Sequence, residues 1–266
     1  MLNSRKIEND HLTAKATAGI NGRAAYNRGT VNRQNSYSPE TAAFRATLNN
    51  RLLRALPDEE LARLMPFLQP LTIAGGKNIF YPNGLSEFLY LPETAVFSQL
   101  NLLQDGRTIE TAMVGNEGIA GVSSILSFRA STPWMQTSIA GTAFRIGVKT
   151  FKQTFNQNDF LRATVLSYLN SYITQLAQRV VCCTHHRIEE RLATWLLMLA
   201  DRSDENKLSL THDQISCFLG VHRPSITSIA KDLRHSEVID YMRGKISILD
   251  RRKLETLACE CYSTIR

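Results

Sequence analysis

Histidine and cysteine are missing from most of this chain: residues 44–184 hold no histidine and residues 1–181 no cysteine. Metal-dependent catalysis draws its ligands from His, Cys or clustered carboxylates. The acids of its strand-like part, residues 71–151 (Glu87, Glu93, Asp105, Glu110, Glu117), are scattered. Its Ser and Thr hydroxyls have no imidazole in the same stretch to activate them. No enzyme is expected, a metal-dependent cupin included. No apolar run reaches the roughly eighteen residues that a membrane span requires, so no membrane contact is expected. The N-terminus lacks the apolar core of a signal peptide. Its Arg and Ala content faintly suggests a transit peptide, which Glu8 and Asp10 oppose. The five cysteines (Cys182, Cys183, Cys217, Cys259, Cys261) all fall in the last third. An odd count without framework spacing suits a reducing cytoplasm, which is the expected location.

A length of 266 residues suggests about two domains, and a net charge of +7 favours an anionic partner without naming it. Residues 1–43 are rich in Asn, Arg, Ala and Thr without periodicity. They read as a disordered leader, either a plain solvated one or one that brushes DNA through Arg23, Arg28 and Arg33. Globular sequence begins near Phe44, with helical spacing through Leu52, Leu53, Leu56, Leu61, Leu64 and Leu68. From Leu71 to Phe151 the pattern changes to short apolar runs: 78–81, 87–91, 95–103, 108–114, 136–139 and 143–148. Gly75-Gly76, Pro82-Asn83-Gly84, Asp105-Gly106 and Gly115 separate them. Even, short strands with hairpin signals predict an antiparallel roll over 44–157.

A long helix is expected over 158–186. Leu166, Leu169, Ile173, Leu176, Val180 and Cys183 repeat at heptad spacing. Aliphatic a positions with Leu at d suit a parallel two-stranded coiled coil, so these six residues form the expected dimer seam. The alternative is a helix packed only on its own roll. Near the end of this helix stand Cys182-Cys183 and His185-His186. Adjacent helical residues point about 100° apart, so the four cannot all converge: Cys182 shares a face with His186, and Cys183 with Arg187. The group reads as hinge and packing rather than as a metal or thiol switch. Cys259-x-Cys261, half of a metal clip, reads as incidental because no second pair stands near it in sequence. No metal or cofactor is expected.

Residues 187–253 carry the most specific pattern, and 254–266 remain as a C-terminal tail. Trp195 with Leu192, Leu196 and Leu199 reads as core. Thr211-His-Asp-Gln214 is a capping box that opens a helix, and Gly220 closes it. The corner Gly220-Val221-His222 leads into a second helix, about 223–234, where Pro224 is harmless in the first turn. Ile226, Ile229, Ala230 and Leu233 form its inner face. Pro224, Thr227, Ser228 and Lys231 lie opposite, with Arg223 at the start. Val238 to Leu249 alternates around Arg243-Gly244 like a hairpin. Helix, corner, helix and hairpin make a winged helix-turn-helix; an ordinary small helical subdomain is the competing reading. The candidate DNA-contacting residues are Thr211, His222, Arg223, Pro224, Ser225, Thr227, Ser228 and Lys231.

Roll, long helix and winged helix-turn-helix, in this order over about 60–252, resemble the cyclic-AMP receptor protein and fumarate-nitrate regulator (Crp/Fnr) family of bacterial transcription factors. The resemblance is strongest in Arg187-Ile-Glu-Glu-Arg-Leu-Ala-Thr-Trp-Leu-Leu197 and from Leu210 through Thr227. It implies that Arg223 reads a guanine through a forked contact. Pro224 and Ser228 replace the Glu and second Arg of the best-known members, so their operator does not carry over. Cyclic-nucleotide binders of this fold hold the ribose with a Gly-Glu element and the phosphate with an Arg. Gly115-Asn-Glu-Gly-Ile-Ala-Gly121 displaces the first, and Ser131 stands where the Arg belongs, with Arg129 two residues away. Iron–sulphur members use an N-terminal cysteine cluster that this sequence lacks. The expectation is an α+β, cytoplasmic, homodimeric regulator of duplex DNA. RNA polymerase is a further partner, the effector is unknown and cyclic AMP is not the signal. A protein-interaction module built on a degenerate roll is the alternative.

Overall fold

The computed structural model describes residues 39–81, 84, 86–126, 134–203 and 206–265. The expected leader lies outside this range up to residue 38. Its last residues do not belong to a leader: they start helix α1 (Pro39–Thr47), which buries Thr41 and sets Phe44 edge-on to Phe144 at 5.6 Å. Helices α2 (Arg51–Ala55) and α3 (Asp58–Leu64) follow, and the leucines expected to share a helical face are all buried. Asn50 caps α2, its side chain accepting from the Leu53 amide at 3.1 Å.

Seven strands then build the predicted roll: β1 (Gln69–Ile73), β2 (Asn78–Phe80), β3 (Phe88–Pro92), β4 (Val96–Leu102), β5 (Thr108–Val114), β6 (Trp134–Ile139) and β7 (Gly141–Gly147). A short helix, α4 (Ser123–Leu126), interrupts them after β5. Two antiparallel sheets, ordered β1-β7-β3 and β2-β6-β4-β5, face each other across an apolar core. Strand β1 escaped the sequence reading because Pro70 sits in it. It is an edge strand, where a missing N–H costs no ladder bond. Between the sheets Phe80, Tyr90 and Phe97 stack edge to face at 5.6 and 6.2 Å.

Helix α5 (Val148–Gln157), also unforeseen, leads into the long helix α6 (Asp159–His185). Asn158 caps α6 by accepting from the Leu161 amide at 2.8 Å. The first half of α6 packs Leu161, Val165, Tyr168 and Leu169 into the roll. After the hinge at His186 come α7 (Ile188–Ser203), β8 (Lys207–Ser209), α8 (His212–Leu219), α9 (Arg223–His235), β9 (Ile239–Met242), β10 (Lys245–Ile248), α10 (Arg251–Leu257) and α11 (Cys261–Ile265). β8, which sequence did not signal, pairs with β10 in a sheet ordered β8-β10-β9. The C-terminal tail is folded: Leu254 and Tyr262 join the core, and the Tyr262 hydroxyl donates to Asp201 at 2.7 Å. That core is continuous with one face of the roll, since Val96, Leu100, Met113 and Ile139 pack in one cluster with Trp195 and Leu196. Among the described residues no helix is long and apolar enough to cross a membrane.

Candidate nucleic-acid interface

The capping box forms as the sequence predicts. Thr211 Oγ1 accepts from the Gln214 amide at 3.2 Å, and Gln214 Oε1 accepts from the Thr211 amide at 2.9 Å. Gly220 ends α8 at φ 67°, and the space it leaves is needed: a Cβ there would come within 2.9 Å of Ile109 on β5. The left-handed backbone at the corner favours glycine, and the Ile109 side chain of the roll packs closely against it. Its carbonyls do not stay unpaired. Arg179 of α6 donates to Phe218 O and to Glu110 O, both at 3.1 Å, and Arg191 of α7 donates to Leu219 O at 2.5 Å.

Other long-range bonds fix the same block. The buried Trp195 ring N–H donates to Glu110 Oε1 at 2.8 Å, and the Ser98 hydroxyl donates to the same carboxyl. Burial raises the Glu110 pKa, with the nearby Arg179 charge working against it. Arg202 of α7 meets Glu117 at 2.9 Å, tying the loop Gly115–Gly121 of the roll to the reader.

Helix α9 divides as expected. Ile226, Ile229, Ala230 and Leu233 are buried, while Arg223, Pro224, Thr227, Ser228 and Lys231 are exposed on one outward face. His222, the N-cap, is exposed and makes no side-chain cap bond; Ser225 is half-buried. Thr211 is exposed at the start of α8.

Three groups that sequence reasoning missed shape this face. Asp213 of α8 pairs with Arg223 (Nε to Oδ1, 3.3 Å), with both side chains largely exposed. The His212 ring stacks on Tyr241 of the wing at 4.1 Å and bonds Thr227 Oγ1 through Nδ1 at 3.1 Å. Burial, then the Arg223 charge, lowers the His212 pKa below the usual 6.5. The wing turns through Arg243 (φ 50°) and Gly244 (φ 75°), a two-residue turn of the hairpin type, and carries the exposed cations Arg243 and Lys245 at its tip. The sequence signalled that turn but not that two exposed cations would stand at its tip.

The heptad seam needs a correction. Its a positions are open, with Leu166, Ile173 and Val180 exposed by 49, 63 and 65%. Its d positions are not, because Leu169 is in the roll's own core and Leu176 and Cys183 are half-buried. The open stripe instead alternates Leu166, Ile173 and Val180 with Ala163, Asn170, Ala177 and Thr184. A second correction concerns the thiols read as incidental, for Cys259 and Cys261 lie beside Cys182 and His186. Ser131 and Arg129, named for the phosphate position of the roll, lie outside the described residues.

A winged helix-turn-helix with the outer face of its second helix bare, carried behind a roll and a long helix, defines a DNA-binding transcriptional regulator. Residues 190–257 match the family model of the Crp-like helix-turn-helix domain. Beyond that domain, the chain is similar to regulators of the Crp/Fnr family. It is 24% identical over 185 residues to the global nitrogen regulator of Synechococcus elongatus, covering 66% of this chain and 83% of that protein. The global nitrogen regulator of Nostoc is also 24% identical, over 188 residues, with the same shares covered. Among solved structures, FixK2 of Bradyrhizobium japonicum superposes with a TM-score of 0.62 at 15% identity, covering 72% of this chain and 98% of that one. A Crp/Fnr-family regulator of Eubacterium rectale gives 0.60 at 20% identity, covering 79% and 98%.

Proposed function

We propose that this regulator acts in the cytoplasm as a homodimer that lays α9 of each subunit in the major groove of a palindromic operator, and that it catalyses no reaction. The outward face of α9 carries this reading. It is uncovered, holds a forked donor at its N-terminal end, and is flanked by a basic wing that can reach the neighbouring phosphates. Arg223 would exchange its exposed carboxylate partner for the O6 and N7 of a guanine, a small loss since exposed pairs contribute about 0–1 kcal/mol. Thr211, His222, Ser225, Thr227, Ser228 and Lys231 would meet phosphates or secondary base edges, and Pro224 would fix the backbone at the groove. RNA polymerase is the protein partner such a regulator addresses.

The open stripe of α6 is the dimer seam in this proposal. Replacing Ile173 and Val180 together by Asp would bury unpaired charge in the dimer while leaving each protomer's core untouched. Sedimentation should then give folded monomers; an intact dimer of the double variant would reject the seam.

The roll, in this reading, does not answer to cyclic AMP or cyclic GMP. Arg129 is the only basic residue between Arg107 and Arg145. A cyclic nucleotide's phosphate needs a forked cation or a cluster of amides once it leaves water. A thermal-shift series tests this: a true ligand at a hundred times its dissociation constant would add about 2.7 kcal/mol. No upward shift is expected with either nucleotide. A clear rise at micromolar concentration, abolished in Arg129→Ala, would overturn that part. Binding to duplex DNA that weakens steeply with salt and favours a specific sequence tests the whole.

A further inference from the structure

Four side chains converge where the long helix meets the end of the chain. Cys182 lies in the last turn of α6 and His186 caps its C-terminal end; Cys259 and Cys261 come from the loop between α10 and α11 and the start of α11. All four ligand atoms lie within 4.8 Å of one another. Cys182 Sγ and Cys259 Sγ are 3.7 Å apart, and Cys261 Sγ and His186 Nδ1 are 3.4 Å apart. A tetrahedral zinc ion, with bonds of ~2.3 Å to sulphur and ~2.0–2.1 Å to nitrogen, sets neighbouring ligands about 3.8 Å (S to S) and about 3.5 Å (S to N) apart. Those are the two separations found here. A disulfide needs ~2.05 Å between sulphurs, well short of the 3.7 Å between Cys182 and Cys259.

We propose that Cys182, His186, Cys259 and Cys261 form a closed site for one tetrahedral, zinc-class divalent ion. The surroundings are those a thiolate-rich site needs. Glu260 Oε1 meets His186 Nε2 at 3.1 Å, which aims Nδ1 at the cysteines and holds the ring's tautomer, as carboxylates behind metal-bound histidines do. Gln178 Nε2 donates to Cys261 Sγ at 3.1 Å, and Thr194 Oγ1 stands 3.1 Å from Cys259 Sγ. Four protein ligands fill the tetrahedron and the three cysteines are buried, so no coordination position opens to solvent for chemistry. The ion's role is structural, since it clamps the C-terminal tail to the turn from which the reader hangs. A soft S3N donor set that encloses one ion selects zinc over oxygen-seeking cations.

The experiment is metal analysis of the full chain purified under reducing conditions without chelator, together with cobalt substitution. One zinc per chain is expected, with a thiolate-to-cobalt charge-transfer band and tetrahedral visible bands after exchange. Cys182→Ser, His186→Gln and Cys259→Ser should each lower the zinc content at least tenfold. Cys217→Ser, which alters the exposed thiol on α8, should keep it at one. Wild-type chain with all thiols reduced that holds neither zinc nor cobalt would overturn the proposal, whatever the variants do. So would a Cys182–Cys259 disulfide in the freshly reduced and re-equilibrated protein, or full zinc retained in Cys259→Ser.

Discussion

Two groups of basic side chains in the C-terminal half differ in what they face. Arg179, Arg191 and Arg202 point inward, where each meets a backbone carbonyl or a carboxylate: Phe218 O, Leu219 O and Glu117. Arg223, Lys231, Arg243 and Lys245 point outward around α9 and the wing, and Arg223 pairs with the exposed Asp213. A guanidinium out of water has to be held by the protein, since an unpaired buried charge costs several kcal/mol; among the buried nitrogens of these groups only Arg191 Nε is left without a partner. An exposed one keeps its donors for a ligand. Net charge therefore says little about DNA affinity here; what matters is which cations the fold leaves unspent. Arg179 and Arg191 hold the corner, and Arg202 holds the Gly115–Gly121 loop, behind the face on which the exposed set stands.

Removing members of each set should separate their roles. Arg191→Ala should have the largest effect on the fold, about 2–3 kcal/mol in urea unfolding, because it strands the buried Leu219 carbonyl and removes a charge-assisted bond. The folded fraction should retain the wild-type base preference. Arg223→Ala should do the reverse, leaving stability within about 0.5 kcal/mol while costing about 1–3 kcal/mol of operator binding per half-site. Lys231→Ala should weaken all duplexes alike and flatten the slope of log affinity against log salt by about one unit per subunit, read from titrations at several salt concentrations.

The smallest effect should come from His212. Its pKa is held below 6.5 by burial and by Arg223, so the folded state prefers the neutral ring. The stability this contributes is present above pH 6.5 and is lost as pH falls through the lowered folded value. Thermal melts of the wild type should therefore decline slightly across that window. His212→Gln, which cannot titrate, should show less decline; an identical pH profile would show that His212 contributes nothing to it.

The reader was legible from sequence because its signals are local. Thr211 with Gln214, Gly220, Pro224 and Arg243-Gly244 each lie within a few residues of what they specify. Most strands of the roll were visible for the same reason. What stayed hidden depends on partners far along the chain. Trp195 and Glu110 are 85 positions apart, and Cys182 and Cys259 are 77 apart, so neither spacing suggested a contact. The heptad misled at Leu169 because periodicity marks apolar positions without telling which of them the roll will cover. Asp213 stands inside the capping-box segment, and only the fold sets it against Arg223.

Selection of bound sequences from a random duplex pool, run side by side for the wild type and Arg223→Ala at one fixed salt concentration, tests the central claim most directly. The wild type should enrich an imperfect palindrome whose half-site centres lie about 10 bp apart, with a G·C pair fixed in each half. The variant, folded and dimeric, should enrich the same palindrome with that pair relaxed. Unchanged preference at every position in Arg223→Ala, or no palindrome for the wild type, would contradict the assignment of α9 as the base-reading helix of a dimer.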